Sequence, residues 1–238
     1  MKVSFAIIGN NWGKRIYKIL KEAGYSATIL AIKNPLKYKK YNIYKHELNK
    51  ILNKARVKYN IIWIAINPNK KILFDVVKEC LERKFNVIIE KPWTVSKNKT
   101  IFLKRIQKKM KVLVGFHFQY LYLNFFKIIS KNKYLSRFHV KLEFYAKNNK
   151  LKNNHRLELG SHLIAIQKFF FPKNKNLIIK TGYKKNLRRV TIKNKNKKFI
   201  FNFDNNKEKI IQNFVKDYII SLKNKKNFKL NFDFARMY

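Results

Sequence analysis

The sequence is short of cysteine, glycine and proline, and it has no long hydrophobic run. Among 238 residues Cys80 is the single cysteine, which excludes an intrachain disulfide and favours an intracellular setting. No apolar run approaches the roughly 18–20 residues that span a bilayer, so we expect no membrane segment and no membrane partner. The first apolar stretch ends at Gly9 without a small-residue cleavage site. We therefore expect a cytoplasmic protein without a signal peptide.

Acidic residues are also scarce, since 12 Asp and Glu stand against 56 Lys and Arg, a formal net charge of +44. Such an excess is typical of proteins that bind nucleic acid or an anionic membrane surface. A second interpretation is the codon bias of an AT-rich genome, which enriches Lys, Asn, Ile, Phe and Tyr. The basic residues are spread along the whole chain, and no nucleic-acid-binding motif is visible. We therefore favour compositional bias over a nucleic-acid partner.

The first half of the chain alternates short apolar runs with helical patterns. Apolar runs of this length, bounded by turn residues, are typical of strands buried on both faces. Strand–helix alternation predicts an α/β fold with a parallel sheet covered on both sides. The predicted strands are 3–8, 27–32, 61–66, 87–89 and 112–114.

The second half has a different pattern, in which strands cluster. Residues 137–146 alternate apolar and polar side chains, which predicts a half-buried strand. Together these patterns predict an open, mostly antiparallel sheet with one covered face. The other predicted elements are antiparallel strands at 177–182, 187–193 and 199–203, joined by Lys/Asn turns, and helices at 156–171 and 208–223.

A glycine turn joins the first predicted strand to the first predicted helix. Glycine permits a tight turn and close approach of a pyrophosphate, and the helix N-terminus offers free N–H groups. The spacing is G-x-x-x-G where a dinucleotide-binding loop has G-x-G-x-x-G, so a tight turn without a ligand is the competing interpretation. The candidate cofactor-binding residues are Gly9, Asn10, Asn11, Trp12 and Gly13.

The end of the second predicted strand bears on the choice of cofactor. An acid at this place would bind the ribose 2′-hydroxyl of NAD, but the chain has Lys33 and no carboxylate there. A lysine favours the 2′-phosphate of NADP, so we favour NADP(H) over NAD(H). Because lysine is abundant throughout the chain, NAD(H) stays open.

Glu90-Lys91-Pro92 follows the predicted strand 87–89 at its carboxyl end, where open α/β sheets place their ligand sites. A lysine there can polarise a hydroxyl or carbonyl group and hold its proton, and Glu90 can orient that lysine. The tripeptide belongs to an ordered series along the chain: Gly9…Gly13, Asn67-Pro68, Glu90-Lys91-Pro92-Trp93, Val114-Gly115-Phe116-His117-Phe118 and Glu158-Leu159-Gly160-Ser161-His162.

This series resembles the Gfo/Idh/MocA family of NAD(P)-dependent oxidoreductases, the group of glucose–fructose oxidoreductase and inositol dehydrogenase, with a shortened C-terminal domain. The resemblance covers nearly the whole chain in outline and implies a Rossmann dinucleotide-binding domain over 1–117. It also implies an α+β substrate and oligomerisation domain over 118–238, whose final segment can pack back on the first domain. The family often assembles through the outer face of the second sheet, so a homo-oligomer is expected.

The resemblance also implies roles for single residues. Lys91 matches the active-site lysine, and His162 matches the histidine that exchanges the proton of the reacting hydroxyl. Glu158, one helical turn before His162, would hold the imidazole where the family usually has Asp. Asn67 and Pro68 match the loop that passes the nicotinamide side of the cofactor, and Glu90 belongs to the same cofactor-binding set.

The function implied is hydride transfer between a nicotinamide and a hydroxyl or carbonyl carbon of a sugar or nucleotide-sugar derivative. Ala165, where the family commonly has Asp, and the shortened glycine loop favour an alternative, a catalytically degenerate binding or scaffold subunit. A basic nucleic-acid-binding protein is the less favoured third interpretation. The histidines show no metal-ligand spacing, so no metal site is expected.

Overall fold

A computed structural model describes the chain in segments, and its residues form two compact units. The first unit is Met1–His117 with Gln212–Met237, and the second is Phe118–Ile211. The described residues are 3–9, 11–30, 41–56, 58–66, 70–123, 139–146, 159–172, 174–183, 187–194, 197–202 and 207–235.

The helices of the described segments connect or cover the strands of two sheets. None of the helices in these segments is long and apolar enough to cross a membrane. A short 3-10 helix occupies Gln119–Tyr122. The α-helices are α1 (Asn11–Glu22), α2 (Tyr41–Arg56), α3 (Lys70–Glu82), α4 (Lys97–Met110), α5 (Gly160–Phe170), α6 (Lys207–Lys223) and α7 (Phe232–Ala235).

The first unit contains a five-stranded sheet in which every pair of neighbours is parallel. The strand order is β2-β1-β3-β4-β5, so the order reverses between β1 and β3. Every residue of β3 and β5 is buried, as expected for strands covered on both faces, and β3 is a continuous apolar run in the sequence. The predicted α/β fold is confirmed. The strands are β1 (Ser4–Ile8), β2 (Ser26–Leu30), β3 (Ile61–Ile64), β4 (Asn86–Glu90) and β5 (Val114–His117).

The C-terminal part of α6 belongs to the first unit and covers one face of its sheet. The hydroxyl of Tyr218 donates toward two backbone carbonyl oxygens near the amino ends of β4 and β5. That of Val87 is 3.1 Å away and that of Leu113 is 3.0 Å away. Gly115 makes room for this ring, because a Cβ there would lie 2.8 Å from two atoms of the Tyr218 side chain. Burial raises the pKa of Tyr218 well above its ordinary value.

The second unit contains a four-stranded mixed sheet in the order β7-β6-β8-β9. β6 pairs with β7 in parallel and with β8 antiparallel, and β8 pairs with β9 antiparallel. The sheet is mostly antiparallel, as predicted, but β7 and β8 are not neighbours, because β6 lies between them. The segment between β6 and β7 contains α5, and such a crossover returns the chain parallel to its starting strand. The strands are β6 (His139–Ala146), β7 (Leu177–Tyr183), β8 (Leu187–Asn194) and β9 (Lys197–Asn202).

The alternation in β6 gives the second sheet two different faces. Val140, Leu142 and Phe144 are buried at 1% exposure or less, as the alternating pattern predicts. The opposite face carries the charged residues of β6, among them Lys141 and Glu143. The residues of the predicted helix 156–171 that the structure describes form α5, and 151–158 lie outside the described residues.

Candidate active site

Gly9 follows β1 in a conformation that requires glycine. Its φ is +135°, and a Cβ on it would lie 2.1 Å from the carbonyl oxygen of Ala65, the residue after β3. The neighbouring backbone bond, from the Ala65 N–H to the Ile8 carbonyl, measures 2.8 Å. The chain therefore turns tightly at the carboxyl ends of β1 and β3, the place where the strand order reverses and where α/β folds bind ligands.

Gly13 lies in the first turn of α1 and is buried there. A Cβ on Gly13 would approach the Cγ2 atom of Ile7 to 3.1 Å, so the missing side chain lets α1 pack closely on β1. Close helix–strand packing is one role of glycine in dinucleotide-binding turns.

The amino-terminal end of α1 is electropositive. No acidic residue lies in its first turn, while Lys14 and Arg15 are exposed beside it. The Arg15 guanidinium lies 5.5 Å from the centroid of the Trp12 ring. The Trp12 Nε1 is buried and has no hydrogen-bond partner in the part of the chain that the structure describes. A buried N–H donor beside a helix N-terminus fits an anionic ligand such as a phosphate.

Lys91 leaves the carboxyl end of β4 at the same edge of the sheet. It is partly buried, and the Lys91–Pro92 peptide bond is cis. The loop that follows is tied to α4, because the Trp93 indole donates to the Thr100 hydroxyl oxygen at 2.9 Å. Thr100 in turn donates to the Ser96 carbonyl at 2.9 Å.

The Glu90 carboxylate accepts hydrogen bonds from two buried side chains that sequence analysis gave no role. One oxygen, Oε1, lies 2.9 Å from the Trp63 Nε1 and 2.7 Å from the His117 Nδ1. The signal that could have found them was present in the sequence. A tryptophan and a histidine inside buried strands each need a polar partner, and Glu90 ends the neighbouring strand.

His162 is the third residue of α5, in the second unit, and is only 3% exposed. Its ring packs edgewise against Tyr120 at 4.6 Å between centroids and against Phe118 at 6.4 Å. Ala165, one turn later, is fully buried. The histidine is therefore held in an aromatic setting within its own unit.

The structure brings part of the predicted site together. Gly9, Gly13, Glu90 and Lys91 lie at or beside one edge of the first sheet, with Asn11 and Trp12 opening α1. His162 belongs to the other unit, and its relation to Lys91 stays a prediction. The predicted site residues Asn10, Lys33, Asn67, Pro68 and Glu158 lie outside the described residues.

No protein-family model and no curated protein matches the chain. Solved structures do match it over nearly its whole length. UDP-N-acetylglucosamine 3-dehydrogenase GnnA from Acidithiobacillus ferrooxidans superposes with a TM-score of 0.76 at 9% identity, covering 99% of this chain and 94% of that chain. The dehydrogenase MviM from Clostridium difficile gives a TM-score of 0.72 at 13% identity, covering 99% and 95%.

The chain has the Gfo/Idh/MocA fold. A third structure with this fold is the WlbA (WbpB) dehydrogenase from Thermus thermophilus in complex with NAD and UDP-GlcNAcA. It gives a TM-score of 0.69 at 12% identity and covers 98% of this chain and 91% of that chain. The resemblance predicted from the ordered motifs is thus confirmed at the level of the fold. In the Gfo/Idh/MocA fold of this chain, the glycine turn and the Glu-Lys-Pro turn lie at the carboxyl edge of the parallel sheet.

Proposed function

We propose that the protein is an NAD(P)-dependent oxidoreductase acting on the CH–OH or C=O group of a sugar or nucleotide-sugar derivative. One observation carries the proposal. In a chain with the Gfo/Idh/MocA fold, a tight glycine turn at Gly9 and a lysine at Lys91 lie at the same edge of one parallel sheet. That edge is where this class of sheet binds nucleotides and performs chemistry.

The described residues fit a dinucleotide. Gly9 leaves no side chain in the turn, and Gly13 lets α1 approach the sheet, so the helix N-terminus faces the carboxyl edge. The unpartnered Trp12 N–H adds a donor there. By the resemblance, Asn10 and Asn11 would contribute to the cofactor loop, while Asn67 and Pro68 would pass the nicotinamide side.

When bound, the nicotinamide ring accepts or donates the hydride. The residues of the chain then handle the proton. Lys91 would polarise the reacting oxygen, and His162 would take or return its proton. Glu158 would hold the His162 ring, and Lys33 would favour NADP over NAD through the 2′-phosphate.

A nucleotide sugar is the favoured substrate class. GnnA is by its name a UDP-N-acetylglucosamine 3-dehydrogenase, and WlbA was solved with NAD and UDP-GlcNAcA. A net charge of +44 would also attract a diphosphate-bearing substrate over a neutral sugar.

The outer face of the second sheet is the proposed interface of a homo-oligomer. The register places Ile178, Lys141, Thr191 and Ile200 in one row across the sheet. Ile178 is 53% exposed and Ile200 is 47% exposed, so the row has apolar ends. Replacing both isoleucines with Asp should dissociate the oligomer in sedimentation experiments, while Phe102→Asp, at an exposed site on α4, should not.

The deciding experiment is a titration with NADPH and NADH at moderate salt, followed by turnover with UDP-sugars. We expect saturable binding that raises reduced-nicotinamide fluorescence, tighter for NADPH. Lys91→Ala should abolish turnover and keep nicotinamide binding, whereas Lys97→Ala, an exposed lysine on α4, should keep both. Binding without turnover in the unmodified protein would favour the scaffold alternative. No saturable binding of either nucleotide would reject the proposal.

A further inference from the structure

The residue before Lys91, Glu90, belongs to a buried polar cluster with two side chains that have no role in the proposed reaction. Its members are Trp63, Glu90 and His117. The Glu90 side chain is 9% exposed and that of His117 is fully buried, while Trp63 has no exposed surface. Both N–H donors converge on the same carboxylate oxygen, at 2.9 Å and 2.7 Å. The side chain that precedes Lys91 in the chain is therefore fixed from two directions.

The sheet register explains how the three side chains meet. Glu90 and His117 are register partners at the ends of β4 and β5, and Trp63 is the partner of Ile88 on β4. Because side chains alternate along a strand, Ile88 and Glu90 share one face, and Trp63 and His117 lie on that same face. The cluster occupies the sheet face that α6 covers, where Phe214 lies 5.9 Å from Trp63 and 4.8 Å from His117 between ring centroids.

Burying a histidine destabilises the folded state unless its ring nitrogens form hydrogen bonds. The His117 ring packs edgewise on Trp63 at 5.1 Å, and a phenylalanine would keep such ring contacts. The His117 Nε2 is buried and has no partner among the described residues, which a phenylalanine would avoid. The hydrogen bond from Nδ1 to Glu90 is therefore the one stabilising contact with a described residue that a histidine makes here and a phenylalanine could not.

We propose that Trp63 and His117 are positioning residues that lock the Glu90 carboxylate and thereby fix the backbone from which Lys91 enters the active site. The inference rests on the proposed function for its consequence in catalysis. The two donors hold the last side chain of β4, so the peptide between Glu90 and Lys91 cannot rotate freely. Lys91 then leaves the strand in one direction, toward the carboxyl edge.

Substitutions that keep each ring test this role. His117→Phe and Trp63→Phe each remove one N–H donor and preserve the aromatic packing. We expect kcat to fall about tenfold in either variant with little change in KM, the effect of losing one hydrogen bond to a charged group. His117→Asn should restore most of the rate, because its amide N–H lies near the position of Nδ1. Tyr59→Phe is the matched control, since it removes a side-chain hydrogen bond of 2.8 Å that goes to Thr28 and not to Glu90.

A second measurement needs no activity. Limited acetylation with acetic anhydride, followed by mass spectrometry, reports the reactivity of Lys91 relative to the exposed Lys97. Loss of either donor should raise this ratio several-fold, because a released Glu90 lets Lys91 move into solvent. His117→Asn and Tyr59→Phe should leave the ratio near that of the unmodified protein.

The two measurements separate the proposals. An unchanged Lys91 ratio in both His117→Phe and Trp63→Phe overturns the positioning role, whatever the activity. A protein that binds no nicotinamide but shows the raised ratio loses the proposed function and keeps the positioning role. Turnover that survives in both variants, with KM raised in its place, also overturns the role, because it would mean that the cluster shapes substrate binding only.

Discussion

The two sheets differ in how many of their faces are buried. In the first sheet the strands β3 and β5 are buried throughout, and polar side chains gather at the carboxyl ends, as Glu90 and His117 do. In the second sheet β6 buries Val140, Leu142 and Phe144 on one face, while the opposite face carries Lys141, whose side chain is 38% exposed, and the buried Glu143. A sheet covered on both sides leaves only its strand ends for chemistry, whereas a sheet covered on one side keeps a whole face for contacts with solvent or a partner.

This difference predicts which substitutions each sheet tolerates. In the first sheet a change at a strand end meets packed backbone, so it should be costly. On the open face of the second sheet a substitution contacts long, solvated side chains, so it should lower the free energy of unfolding only slightly. The four predictions below run from the largest expected effect to the smallest.

Gly9→Ala should have the largest effect. The Cβ would meet the Ala65 carbonyl oxygen at 2.1 Å in a residue whose φ is +135°. We expect the free energy of unfolding to fall by about 4 kcal/mol, at the upper end of single substitutions. Urea unfolding followed by circular dichroism measures it. Gly24→Ala is the control, since Gly24 has φ +80° but nothing within 4 Å of its Cβ, and should cost only about 1 kcal/mol of strain. Equal losses in the two variants would contradict the clash.

Tyr218→Phe tests the hydrogen bonds that α6 makes to the first sheet. The lost hydroxyl leaves two buried carbonyls, those of Val87 and Leu113, without this donor. We expect a loss of about 1.5 kcal/mol in the free energy of unfolding. Tyr59→Phe removes a 2.8 Å bond to the Thr28 hydroxyl, which is only partly buried, and should cost less. A larger loss at Tyr59 would show that burial of the hydroxyl does not determine how much its hydrogen bond stabilises the fold.

Alkaline pH should weaken the first unit through Cys80 of α3. Burial raises the pKa of this thiol above its ordinary value of 9.0. Because the folded-state pKa is the higher one, the stabilising contribution is fully present below pH 9 and is lost as the pH rises above it. The loss has a slope of at most about 1.4 kcal/mol per pH unit. Unfolding at pH 8, 9 and 10 should show this slope in the unmodified protein, and Cys80→Ala should reduce it. Parallel curves for the two proteins would contradict it.

The sequence predicted most of the first sheet because burial on both faces leaves a strong pattern. The apolar runs at 3–8, 61–66 and 87–89 became β1, β3 and β4, with the glycine turn directly after β1 and Lys91 directly after β4. Trp63 and His117 were missed. Trp63 lies inside an apolar run that is typical of core, and His117 lies beyond the predicted strand 112–114, while the partner of both is set by strand order, which one sequence does not contain.

The second sheet was predicted less completely. Alternation identified β6 and its buried face, and the later strands were predicted as antiparallel, but which strands are neighbours was not predicted. The structure pairs β6 with both β7 and β8, because the segment with α5 crosses over before β7 begins. Pairing across a long connection depends on tertiary packing of the helix, and no local pattern records it.

Glu143→Gln should have the smallest effect, and its salt dependence tests the open face. The Glu143 Oε1 atom lies 2.8 Å from the Lys141 Nζ, and its register neighbours are Lys180 on β7 and Arg189 on β8. Glutamine keeps the shape but removes the carboxylate that pairs with Lys141 and lies in register with two further cations. We expect a loss of about 0.5 kcal/mol at low salt, because the Lys141 side chain is 38% exposed and stays solvated when the buried carboxylate is removed.

That loss should shrink further in 0.5 M NaCl, where the Debye length falls to roughly 4 Å and the cations are screened from one another. Glu22→Gln, whose carboxylate lies 3.7 Å from the exposed Lys18, is the control and should change nothing measurable. A loss at Glu143 that is large and independent of salt would mean that this carboxylate is held by buried hydrogen bonds. The second sheet would then be covered on both faces, as the first is, and the contrast between them would fail.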